Sequence, residues 1–177
     1  MTKLWKIDLQ DFLGNTMRPK PEYDEVALRA KIDDHLFSDL WLLVKSGEQP
    51  LAWRAAWILD NTTEDSPELI DPILDEIYSM IPLEKSDSNL RHLMKLLLRR
   101  PLDLEKAAGL VDLCIDWVLN PKDTVSKRVL GLQLLYELYL LQPEFAHELL
   151  TIISECEERG GTRGFFNRLH KVKELVK

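Results

Sequence analysis

Glycine is scarce in this 177-residue chain, at seven residues, and proline reaches only nine. Val, Ile and Thr together fill 25 positions, whereas leucine alone fills 34. β-Branched side chains stiffen χ1 and suit strands, while leucine loses little rotamer freedom in a helix, so the imbalance points to an all-α fold. Sustained apolar–polar alternation is missing as well, and no strand is expected. No apolar run approaches the roughly eighteen residues of a membrane span. The opening residues Met1-Thr2-Lys3-Leu4-Trp5-Lys6 contain no apolar signal core, so a cytoplasmic location is expected. Cysteine occurs only at Cys114 and Cys156, without metal-ligand spacing, as suits a reducing compartment. An apolar content of 45% excludes intrinsic disorder.

Catalytic motifs are lacking too. His35, His92, His147 and His170 are well separated, and no His-x-x-x-His occurs. Glu144-x-x-His147 has the spacing of a di-metal carboxylate helix, but that chemistry needs a second such motif and further glutamates. The segment Gly160-Gly161-Thr162-Arg163-Gly164 follows a helical pattern and has no Lys-Ser/Thr ending, so it reads as a helix-ending turn and not as a phosphate loop. No serine sits in a Gly-x-Ser-x-Gly elbow. The expectation is a chain that is not an enzyme and takes neither metal nor cofactor.

What the sequence does contain is rhythm. Pro50, Pro67, Pro82, Pro101, Pro121 and Pro143 recur at intervals of 17, 15, 19, 20 and 22 residues, each about one helix plus a tight turn. The pattern predicts helices near 33–46, 50–61, 67–81, 87–100, 102–119, 124–141, 143–159 and 163–176, with less regular ones near 3–13 and 22–32. Ser66 before Pro67 has the form of an N-cap, and Pro72 predicts a kink or a restart capped by Asp71. In 102–119 Glu105, Asp112 and Asp116 mark one wet side. From Val129 the helix 124–141 is apolar nearly all round, with a narrow polar strip of Gln133 and Glu137, so it should lie centrally.

Arg54, Arg91, Arg128 and Arg168 fall early in the second helix of successive pairs, 37, 37 and 40 residues apart. Around them stand Trp53-Arg54-Ala55-Ala56, Leu90-Arg91-His92-Leu93, Lys127-Arg128-Val129-Leu130 and Asn167-Arg168-Leu169-His170. This resembles the HEAT-repeat family, whose antiparallel helix pairs often carry an Asp in the turn and an Arg opening the second helix; Asp123-Thr124-Val125-Ser126-Lys127-Arg128 is the nearest match. The turn acid is Glu48, Asp87 and Asp123 in the first three pairs, at varying offsets, and absent from the fourth. The resemblance implies an α-α superhelix over 33–177, with pairs near 33–61, 67–100, 102–141 and 143–176 and with 1–32 as an N-terminal extension or cap. A lone pair of short helices cannot bury enough apolar surface, whereas stacked pairs share one core.

The formal net charge of −7 is unevenly divided. First helices with their turns (33–49, 62–85, 101–121, 142–161) hold twenty acids against four bases; second helices (50–61, 86–100, 122–141, 162–177) hold five acids against thirteen bases. The resemblance implies that second helices line the concave side, which would then be basic. The candidate partner-binding residues are Arg91, His92, Lys95 and Arg99, then Lys127 and Arg128, then Arg163, Arg168 and Lys171. Lys95 and Arg99 are one turn apart and should project together. Trp53 and Trp57, also one turn apart, are either core or a peptide-anchoring platform.

The expected function is therefore a non-catalytic repeat module binding a protein partner, possibly an acidic segment, on a basic concave face. Alkylation-repair DNA glycosylases are similar in being HEAT-like with a basic groove, which gives a nucleic-acid-binding alternative in which Trp53, Trp57, Asp60 and Arg91 would take the aromatic, carboxylate and basic roles. Arg54-Ala55-Ala56-Trp57-Ile58-Leu59 resembles a segment of short repeat chains sometimes labelled adenylosuccinate lyase, but that enzyme's Ser-Ser-x-Met-Pro loop is absent here. The net acidity argues against nucleic acid, and no membrane partner is expected.

Overall fold

The computed structural model describes residues 8–14 and 17–176. Its α-helices are α1 (Leu9–Gly14), α2 (Lys20–Ala30), α3 (Asp34–Ser46), α4 (Leu51–Thr62), α5 (Leu74–Met80), α6 (Asp87–Leu97), α7 (Leu104–Leu119), α8 (Val125–Leu141), α9 (Ala146–Arg159) and α10 (Arg163–Leu175). No strand occurs among the described residues. Of the helix expected near 3–13, residues 3–7 lie outside the described residues, and so does Trp5.

Local chemistry explains most boundaries. Asp33 accepts from the His35 and Leu36 amides to start α3, and Asp103 does the same for Glu105 and Lys106 at α7. Ser86 and Thr162 cap α6 and α10. Gly47, at φ 69°, ends α3 in the left-handed region that glycine alone enters freely. Pro72 has the effect foreseen for it: Pro67–Ile73 winds as 3-10 helix and the α-helix restarts at Leu74. Ile73, and not Asp71, occupies the N-cap of the restart, without a side-chain cap bond. Helix α6 stops at Leu97, three residues short of expectation, because Pro101 disfavours helical backbone just before it.

The chain forms two compact units, divided between Pro72 and Ile73. In the first, α3 and α4 form a hairpin, α2 packs against both, and α1 packs against α4. Ala52, Ala55 and Ala56 are fully buried, small enough to let neighbouring helices close on α4. In the second unit the pairs are α5/α6, α7/α8 and α9/α10, arranged as two rows. The first helices touch in series, α5 to α7 to α9, and so do the second helices, α6 to α8 to α10. Helix α8 also meets α7 and α9, so it has neighbours on every side but one, as its sequence foretold. Gly131 permits this closeness: a Cβ there would stand 3.2 Å from the Cys114 carbonyl oxygen and 3.3 Å from Val118 Cγ2 of α7.

Candidate partner-binding surface

The four periodic arginines have different surroundings. Arg128, 2% exposed, lies where α7, α9 and α10 converge. Its Nε donates to the Val118 carbonyl at 3.0 Å, in the last turn of α7, and its Nη1 to the Gly160 carbonyl at 3.3 Å, just past α9. The guanidinium also sits 3.7 Å above the Phe165 ring of α10. A cation at two helix C-termini satisfies carbonyls that have no intrahelical partner and complements both dipoles. Burial pulls its pKa below the usual arginine value, opposed mainly by the nearby Cys156. Arg54 is likewise buried and donates to the Leu13 carbonyl in α1 at 2.6 Å. Arg91 is exposed, and Arg168 half-buried.

Arg128 therefore holds the scaffold together and cannot meet a partner, a correction to its place among the candidate binding residues. The same holds for His92, 2% exposed, which shares the inward side of α6 with Asn89 and Leu96. Lys127 is half-buried, paired with Asp123 at 3.0 Å and 5.3 Å above the Trp117 ring. Arg99 falls in the turn beyond α6 and is half-buried, so the exposed one-turn pair on this helix is Arg91 and Lys95. Arg163 and Lys171 are exposed on α10. The second row thus carries Arg91 and Lys95 on α6 and Arg163, Arg168 and Lys171 on α10, the two helices flanking α8.

Trp53 and Trp57 belong to the first unit. Both are half-buried, their rings stack at 6.3 Å, and Tyr23 covers Trp57 at 4.9 Å. The cleft beside α1 and α2 is lined by Asp11, Arg18, Glu22, Glu25 and Arg29, whose charges pair internally: Arg18 with Glu22 at 3.2 Å and with Asp11 at 4.0 Å, and Arg29 with Glu25.

Paired cations occur on both rows of the second unit: on the second, Lys127 meets Asp123 at 3.0 Å and Lys173 meets Glu157 at 2.8 Å. On the first row Lys106 meets Asp75 at 2.6 Å and Asp103 at 3.5 Å, and Arg159 meets Glu155 at 3.0 Å. The hydrogen bond to Asp75 raises the Lys106 pKa, and the Lys106 amide lowers that of Asp103. On the second row Arg91, Arg163, Arg168 and Lys171 have no carboxylate partner among the described residues. Sequence reading named these cations but could not separate them from paired ones, because pairing depends on neighbours from other helices.

Sequence reading also missed the floor between them, Val129, Tyr136 and Leu140 of α8. Its signal was the polar strip of Gln133 and Glu137, which marks the same outward side. The cysteines are buried, and desolvation pushes the Cys114 thiol up to about 12 and the Cys156 thiol in the same direction. Among the described residues no cluster of His, Cys, Asp or Glu is placed to hold a metal, and no helix is long and apolar enough to cross a membrane.

Two rows of paired helices around a shared core define an all-α helical-repeat protein. The chain belongs to the HEAT-repeat family: the family model for the HEAT repeat domain matches residues 13–169. That family is generally one of non-catalytic scaffolds and protein-interaction modules. No curated protein and no solved structure matches the chain.

Proposed function

We propose that this chain is a non-catalytic module that binds a protein partner through an acidic segment, on the second-row face formed by α6, α8 and α10. The observation that supports the reading is a set of four second-row cations, Arg91, Arg163, Arg168 and Lys171, without carboxylate partners among the described residues. Like charges left together repel one another and raise the local potential, which an anionic partner relieves.

The test is co-purification of the full chain with its partners from native cell extract, beside a chain carrying Arg91→Glu and Lys95→Glu. Both residues are exposed, so the fold should survive the change. The expected result is a protein partner that is lost from the reversed chain and weakens as salt rises, with an unchanged melting temperature. Equal recovery of the partner by both chains removes the basic face from the account. Recovery of nucleic acid in place of protein, with steep salt dependence, favours the glycosylase-like reading.

A further inference from the structure

Along α8 the residues Val129, Gln133, Tyr136 and Leu140 follow steps of four, three and four, which places them on one side of the helix. The opposite side carries Arg128, Gly131, Leu132, Leu135 and Leu138, all buried. Outward residues of a surface helix are ordinarily wet, yet Val129, Gln133 and Tyr136 are only half-exposed, because α6 and α10 flank α8. Leu140, at 53%, is open. Helix α10 is turned so that Gly164 lies over Val125 of α8; a Cβ on Gly164 would sit 3.9 Å from Val125 Cγ1. One and two turns on, Arg168 and Lys171 share that flank. On the other side α6 supplies Arg91 and Lys95. That leaves the half-exposed side of α8, apolar but for Gln133 and Glu137, as a trough between two cation-bearing helices.

We propose that this trough takes an amphipathic helix of the partner, apolar stripe downward and carboxylates toward the rims; the proposal rests on the acidic-partner reading above. The floor stripe spans eleven residue steps, roughly 17 Å at the helical rise, or about three turns. A helix laid along it repeats its apolar residues at the same spacing, whereas an extended chain repeats every ~7 Å and meets the floor out of step. Tyr136 suits an anchoring role, with a ring for apolar contact and a hydroxyl at its rim. The one acid of α8 on this side, Glu137, accepts a hydrogen bond from the Gln133 amide.

Two fluorescein-labelled synthetic peptides of about sixteen residues, made of Glu, Leu and Ala in identical proportion, serve as probes. In one the leucines recur at helical three- and four-residue steps; in the other they are spread around the helix. The full chain is titrated into each at low salt and read by anisotropy, with circular dichroism following peptide helicity. The expected result is about tenfold tighter binding of the patterned peptide, with helicity rising on binding. Leu140→Glu should remove that preference, and Arg91→Glu with Lys95→Glu should weaken both peptides. Equal binding of the two peptides, lost on charge reversal, overturns the helix and leaves the acidic-partner reading standing. Binding of neither, while charge reversal still releases the native partner, also overturns the trough alone.

Discussion

Arg91 and Arg128 stand 37 residues apart, early in successive second-row helices, and do opposite things. Around Arg128 two helices end, and one long, multidentate cation reaches a carbonyl at each end at once, beside the Cys156 thiol that also donates to Val118. Arg91 makes no hydrogen bond to a carbonyl among the described residues; its guanidinium lies at the surface, 3.3 Å from the His92 ring nitrogen, and the inward position beside it is filled by His92. Arg54 sides with Arg128, donating to the last turn of α1. A repeat period thus locates a place in the framework. Whether the residue there binds the framework or faces outward is decided by which helix ends happen to reach it.

Removing the guanidinium is the sharpest way to test that contrast. Arg128→Leu removes the guanidinium bonds to the Val118 and half-buried Gly160 carbonyls and the contact with Phe165, and should cost about 3 kcal/mol, read as a lowered urea midpoint. Arg91→Leu should change stability by no more than about 0.5 kcal/mol. Arg128→Lys should recover only part of the loss, since one ammonium cannot span both carbonyls and stack on Phe165. Similar costs for Arg91→Leu and Arg128→Leu would break the distinction.

A smaller effect should come from the helix contact that places one of those carbonyls. Gly131→Val introduces bulk against the Cys114 carbonyl and Val118 Cγ2, separating α7 from α8 and carrying the Val118 acceptor away from Arg128. The expected cost is about 2 kcal/mol. Combined with Arg128→Leu it should cost less than the two together, because the first change already weakens the bond the second removes. Strict additivity in a double-mutant cycle would show that α7–α8 packing and the arginine clamp are independent.

Much of the framework was legible before any coordinates. Leucine abundance and proline intervals located the helices from residue 33 onward to within a few positions, and the apolar circumference of α8 announced a central helix. The restart at Pro72 was legible because proline acts locally. Residue roles were less so. His92 looked like surface because histidine is polar, yet the spacing of Asn89, His92 and Leu96 turns it inward. Arg128 carried the same framework signature as Arg91, and nothing in either segment tells that α9 will end against one and not the other. The unpaired cations were invisible for the same reason: an ion pair between helices is a tertiary fact.

Below these comes the surface pair. Arg91→Glu with Lys95→Glu should leave thermal stability within about 0.5 kcal/mol of the parent, since exposed charges away from packing contribute little. Partner recovery should nonetheless fall sharply. That separation of binding from stability is the outcome opposite to Arg128→Leu. A large loss of stability on charge reversal would move Arg91 into the architectural group.

The smallest expected effect lies at the α9–α10 seam, where Glu157 accepts from Lys173 at 2.8 Å with the His170 ring 3.5 Å away. The Lys173 hydrogen bond chiefly holds the Glu157 carboxyl below its ordinary 4.5. A depressed folded pKa means that the stabilisation is fully present above 4.5 and disappears as pH falls through the lower folded value. Glu157→Gln should therefore melt slightly below the parent at neutral pH, and the two curves should converge as pH falls below 4.5 and through the depressed folded value. The Arg128 clamp should show no such convergence, because arginine keeps its proton throughout that range. A Glu157→Gln deficit that persists unchanged in acid would assign the seam's contribution to packing, and charge would then matter on the outer face of this unit only for binding.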